Sequence, residues 1–174
     1  MNVKSCIQNI LTSPSKLFGL VTLVSASALA AAFSAEAFFN LEPCQMCIYQ
    51  RYPFAAGIVL GLIGLATRNN SKIIKTLTPL TSLNFLCNSA LAFYHSGIER
   101  HWWPSPFESC SAPDFSNSPK TILENIMSAP TGRCDEIPWA DPLLHLSMAN
   151  YNVVLCFGIA VICAASIILN AKKA

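Results

Sequence analysis

Charge is what this sequence has least of. Only 11% of its 174 residues are Asp, Glu, Lys or Arg, where a soluble domain carries about 25%. With 53% hydrophobic residues, that shortage argues for lipid rather than water as the solvent. The net charge of +2 adds nothing to suggest a nucleic-acid partner. The apolar residues also lack the alternation of membrane barrel strands. They gather instead in four blocks of 18 to 23 residues: Leu17 to Phe39, Ile48 to Ala66, Leu77 to Tyr94 and Tyr151 to Leu169. At about 1.5 Å per helical residue each is long enough to cross a hydrocarbon layer of about 30 Å. Backbone polar groups in lipid must bond within their own segment, so each block is expected to be a helix. The expected fold is an all-α membrane protein, a bundle of four transmembrane helices forming one domain over residues 1–174.

Acidic residues are absent from the stretches that flank these blocks on one side. The N-terminal segment (Lys4, Lys16), the link after the second block (Arg68, Lys72, Lys75) and the C-terminus (Lys172, Lys173) hold seven basic residues and no acidic one. Basic flanks stay in the cytoplasm, so both termini are expected there. The segment from Ser96 to Asn150 holds seven acidic residues against three basic ones and is expected outside, with the short link from Asn40 to Cys47. A competing reading is a cleavable secretory signal, because Lys4 and Lys16 precede an apolar run that ends near Ala35-Glu36-Ala37. That run exceeds the usual signal core of about 7 to 15 residues. Cleavage would also leave three spans with termini on opposite sides, so the segment is expected to remain as the first helix.

The expected topology sorts the eight cysteines. Cys44, Cys47, Cys110 and Cys134 fall outside, where disulfides persist. Cys6, Cys87, Cys156 and Cys163 fall in the inner tail or within spans and read as small hydrophobes. Three readings of the outer four stand side by side. Two disulfides could staple loops, the longer closing about 25 residues and contributing roughly 3 kcal/mol. A thiolate zinc site would want two close knuckles, whereas Cys110 and Cys134 lie far apart with no neighbouring histidine, and no metal is expected. Haem attachment is excluded by Ile48, which stands where a histidine would follow Cys47. Redox exchange is the third reading, because Pro43 sets a helix start inside Cys44-Gln45-Met46-Cys47 and puts Cys47 in the first turn. Unpaired amides there stabilise a thiolate, and Arg51, one turn on, would add a charge on the same face. Arg51 also reads as a snorkelling side chain at a helix end.

From Leu41 through Pro43-Cys44-Gln45-Met46-Cys47 to Tyr49-Gln50-Arg51 the chain resembles the DsbB family of bacterial inner-membrane disulfide bond formation proteins. Tyr94-His95-Ser96-Gly97-Ile98-Glu99, the run from Trp103 to Cys110 and the position of Cys134 are similar to the same family. The resemblance covers about Leu17 to Leu169. It implies a thiol:quinone oxidoreductase with active cysteines facing the periplasm, in loops 40–47 and 96–150. A reduced thioredoxin-like partner, DsbA, would attack a Cys110–Cys134 disulfide at Cys110. Electrons would pass through Cys134 to Cys44 and Cys47, then to ubiquinone or menaquinone. On that resemblance Cys47 would face the quinone, Arg51 would hold its ring, and His95 would line the pocket unless it is simply an interfacial histidine.

Two rivals remain: a vitamin K epoxide reductase-like enzyme, which would carry its CxxC near the end of a late helix, and a non-catalytic membrane protein with structural disulfides. Lys120 to Ser128 places Ile122, Leu123, Ile126 and Met127 on one helical face, suited to lying on the membrane or packing on the protein. Trp102, Trp103 and Trp139 suit an interfacial belt.

Overall fold

The computed structural model describes residues 3–105 and 132–171, with side chains from residue 8 onward. Cys110 and the amphipathic segment at 120–128 lie outside the described residues, as does the Cys6 side chain. Five helices follow one another: α1 (Val3–Thr12), α2 (Pro14–Phe39), α3 (Gln45–Ala66), α4 (Ser71–Glu99) and α5 (Met148–Ala171). No strand occurs among the described residues, only a single bridge between Ala140 and Ser147. The all-helical expectation holds, and α2, α3 and α5 are each long and apolar enough to cross a membrane.

The helices overrun the apolar blocks that announced them, because those blocks mark only the stretch matched to hydrocarbon. α4 is the clearest case. It has 29 residues, about 43 Å at the usual rise. It begins in the polar turn from Ser71 to Thr76 and continues past Tyr94 to Glu99. It is also the least apolar of the long helices, with Thr81, Asn88, Ser89, His95 and Ser96 buried along it. The extra helix α1 was not expected. It breaks from α2 at Ser13, which is extended (φ −103°, ψ 112°) because a residue before proline is pushed out of the helical region. Ser166 of α5 holds α1 by donating to the Leu11 carbonyl at 2.7 Å.

Short links set the neighbours. α2 ends at Asn40 in the left-handed region (φ 49°), which asparagine tolerates, and the Leu41 N–H returns to the Ala35 carbonyl at 3.3 Å. Asn70 caps α4 by accepting from Lys72 and Ile73 N–H. Packing between helices in lipid depends on small residues and polar contacts rather than on escape from water, and both are present. Gly61 and Gly64 bring α3 against α2: a Cβ on Gly64 would sit 2.3 Å from the Phe18 ring, and one on Gly61 3.1 Å from the Phe18 carbonyl. Ser82 and Ser89 of α4 donate to the Ala160 and Val153 carbonyls of α5 at 3.0 and 3.1 Å. Leu17, Val21, Phe54, Phe85, Ile159 and Cys163 form the main core. Leu23, Val59, Leu83, Phe157 and Ile168 point outward and are exposed, the face a spanning bundle turns to acyl chains.

Candidate active site

The turn into α3 carries the chemistry. Pro43 ends the preceding link, Cys44 is the N-cap with extended backbone, and the helix runs from Gln45, so Cys47 lies in the first turn as the sequence indicated. Both are free thiols with sulfurs 3.1 Å apart. A cap side chain points at the amide three residues on, and here the Cys44 sulfur accepts the Cys47 N–H at 3.3 Å. The Cys47 sulfur and His95 Nε2, 3.4 Å away, both lie against the same sulfur. Donation from the Cys47 thiol leads. Together with His95 and the Cys47 amide it outweighs burial and holds the Cys44 pKa down at about 4. The cap position, not the first turn, collects these contacts, and they favour the charged form of Cys44 in the reduced pair.

Arg51 is not directed at the cysteines. It pairs with Glu36 of α2, and its guanidinium lies 5.1 Å from the centroid of the Phe33 ring. Glu36 had read only as part of a signal-like tripeptide, and nothing local marked it as a partner fifteen residues away. Arg51 and Glu36 border a cavity of about 430 Å³ lined also by Ala32, Cys47, Phe54, His95 and Tyr151, among others. Small apolar residues of α2, Ala28 to Ala35, line it beside the Glu36–Arg51 pair and the two thiols. Such a pocket suits a flat apolar ring with polar edges.

His95 is buried, 3% exposed, with its Nε2 3.4 Å from the Cys44 sulfur. Its Nδ1 faces Gln50 at 2.9 Å, and Nε2 is 3.9 Å from Glu99, which accepts from Ser147 of α5. Trp139 lines the cavity. Trp103 serves packing: it stacks on Tyr94, with centroids 5.5 Å apart, and donates to the Tyr94 carbonyl at 2.9 Å.

The second outer loop returns to the first. Cys134 is wholly buried and disulfide-bonded, and its sulfur, the Cys44 sulfur and a His95 nitrogen lie within 4.8 Å of one another. A cation would need a thiolate from Cys134, which a disulfide sulfur does not offer; the arrangement is suited to exchange between pairs. Gly132 permits it, since a Cβ there would lie 2.6 Å from the Pro43 carbonyl oxygen and 2.9 Å from the Cys44 nitrogen. Sequence reading missed Gly132, although its place two residues before Cys134 was visible. Cys156 and Cys163 are core residues and Cys87 faces outward, as small hydrophobes do.

The family described as Disulfide bond formation protein DsbB matches residues 14–166. Disulfide bond formation protein B of Psychromonas ingrahamii is 34% identical over 161 residues, covering 87% of this chain and 84% of the relative. Its namesake in Shewanella sp. strain MR-4 is 34% identical over 145 residues, 80% of this chain and 79% of the relative. That of Albidiferax ferrireducens is 30% identical over 161 residues, 90% and 88%. No solved structure matches. With that match over most of its length and a CxxC pair capping a membrane-crossing helix, the chain belongs to the DsbB family of disulfide bond formation proteins.

Proposed function

We propose that the chain is a four-span thiol:quinone oxidoreductase of the bacterial inner membrane, with both termini cytoplasmic and its four outer cysteines facing the periplasm. It reoxidises a DsbA-like thioredoxin-fold dithiol. The single observation that carries this reading is the approach of Cys134, itself in a disulfide, to the Cys44 thiolate.

Each step balances as thiol–disulfide exchange. A thiolate of the partner attacks a Cys110–Cys134 disulfide at Cys110. The partner's second thiol then closes its own disulfide, and Cys110 and Cys134 are left reduced. The Cys134 thiolate attacks an oxidised Cys44–Cys47 pair at Cys44, releasing Cys47. Cys110 next displaces Cys44 from Cys134, leaving Cys44 as the thiolate its donors favour. A quinone in the α2–α3–α5 cavity supplies a two-electron, two-proton acceptor. Reclosure of Cys44–Cys47 gives up two electrons and the remaining thiol proton, and the second proton comes from water at the outer surface. Cys44 and Cys47 both line the cavity, which puts the pair beside the acceptor, while Arg51 offers a cation toward a developing anion.

The test is quinone reduction driven by a reduced DsbA-like partner, run on the wild type and on Cys44→Ser, Cys47→Ser, Cys110→Ser and Cys134→Ser. The account expects turnover only in the wild type. A variant that keeps full turnover would remove its cysteine from the relay.

A further inference from the structure

The hydrogen bonds beneath Cys44 have directions that can be fixed in order, starting from a backbone group whose role admits no choice. The Gln50 carbonyl oxygen can only accept. The Asn88 side-chain atom 3.2 Å from it is therefore the amide nitrogen, and the same nitrogen donates to the Cys156 sulfur at 3.3 Å. The Cys156 S–H is then free to donate, and Asn152 Oδ1 lies 3.0 Å away. With Oδ1 on the Cys156 thiol, Asn152 gives its NH2 to Gln50, whose Oε1 accepts at 2.5 Å. Gln50 in turn presents its own NH2 to His95 Nδ1 at 2.9 Å. A ring nitrogen that accepts carries no proton, so the proton of the neutral ring is on Nε2, the atom facing Cys44 at 3.4 Å.

We propose that Gln50 and Asn152 are positioning residues that hold His95 in its Nε2–H tautomer, so that the neutral ring donates to the Cys44 sulfur. The opposite tautomer would turn a lone pair toward a thiolate. The inference deepens the relay reading and rests on it for its consequence, since only a redox cysteine gains from a fixed donor. The ring state itself requires neither partner nor quinone. The titratable groups around the ring are Cys44 with Cys47 behind it and Glu99 at 3.9 Å from Nε2; the Cys134 sulfur beside it is in a disulfide, and α5 contributes the uncharged Asn152.

The experiment is nitrogen NMR of labelled histidine in the full-length reduced protein in nanodiscs, free of quinone, with the His95 signals assigned by His95→Gln. In the wild type near neutral pH, Nε2 is expected to carry the proton and Nδ1 to be bare. Asn152→Asp tests the chain of donors. An aspartate only accepts, so Gln50 turns its amide round, gives its carbonyl to Nδ1, and moves the proton there. Alkylation of Cys44, read by peptide mass mapping against pH, should then shift upward by about one pH unit or more, a ten-fold loss of thiolate in the rising limb. Asn152→Leu, which removes the bias without reversing it, should give a mixture of tautomers. A wild-type ring protonated on Nδ1 or on both nitrogens would overturn the proposal, as would Asn152→Asp with Nε2–H retained. If Asn152→Asp does not fold, the wild-type spectrum decides alone. Failure of quinone turnover with the Nε2–H ring intact would count against the relay and not against the tautomer.

Discussion

At the scale of single residues, the account turns on which sulfur carries the charge. The depressed pKa of Cys44, about 4, stabilises the reduced folded protein. That contribution is complete above the ordinary thiol pKa and is lost as pH falls through about 4. Cys44 in the reduced protein should therefore react with iodoacetamide across the whole range from pH 9 down to about 5 and lose reactivity only below that; a midpoint near 8 or 9 would refute the assignment. A stabilised thiolate also makes the Cys44–Cys47 disulfide the more oxidising. Arg51 gives a second prediction: Arg51→Met should raise the quinone KM by about ten-fold while leaving the helical content unchanged, and an unaltered KM would end its role at the cavity. The placing of Cys44 and Cys47 at the start of α3 was legible from spacing and Pro43. The direction of the Cys44–Cys47 hydrogen bond was not, because it depends on His95, 51 positions from Cys44. Glu36 was equally invisible, since an ion pair between helices leaves no local signature.

Elements were easier to read than contacts. Hydrocarbon thickness imposes a length on each apolar run, so four of the five helices among the described residues were visible in the sequence, but their ends were not. In Ser71–Thr76 only Ile73 and Ile74 are apolar, between Lys72 and Lys75, so the start of α4 does not read as part of an apolar run, and α1 has no run long enough to notice. The α2–α3 seam rests on glycines of one α3 face. Gly64→Ala drives a methyl into the buried Phe18 ring and should cost about 1 to 3 kcal/mol by overpacking. Unfolding of the purified protein in mixed micelles measures this, and a change near zero would mean that the seam is looser than described. Gly132 has a different task. Gly132→Ala pushes the second loop off the Pro43–Cys44 backbone and should slow exchange between the two cysteine pairs while sparing oxidation of Cys44 and Cys47 by quinone. An unchanged exchange rate would show that the approach of the loops does not matter.

On the scale of the whole molecule, sulfur, imidazole and guanidinium are gathered at one end of the bundle, where α3 begins and α4 ends. The basic links lie at the other. A cysteine introduced at Asn69, in the link between α3 and α4, into an otherwise cysteine-free chain should resist an impermeant maleimide in intact cells and react after lysis. Labelling before lysis would invert the proposed topology. The central claim, that two cysteine pairs work in series with the Cys44–Cys47 pair nearest the acceptor, is tested most directly by supplying electrons with the acceptor removed. Oxidised protein in quinone-depleted nanodiscs is mixed with a reduced DsbA-like dithiol and quenched over time, and the thiols at each cysteine are counted by differential alkylation. Thiols should appear at Cys44 and Cys47, vanish when quinone is restored, and never appear in Cys110→Ser. A Cys44–Cys47 disulfide that stays closed in the wild type throughout would contradict the relay.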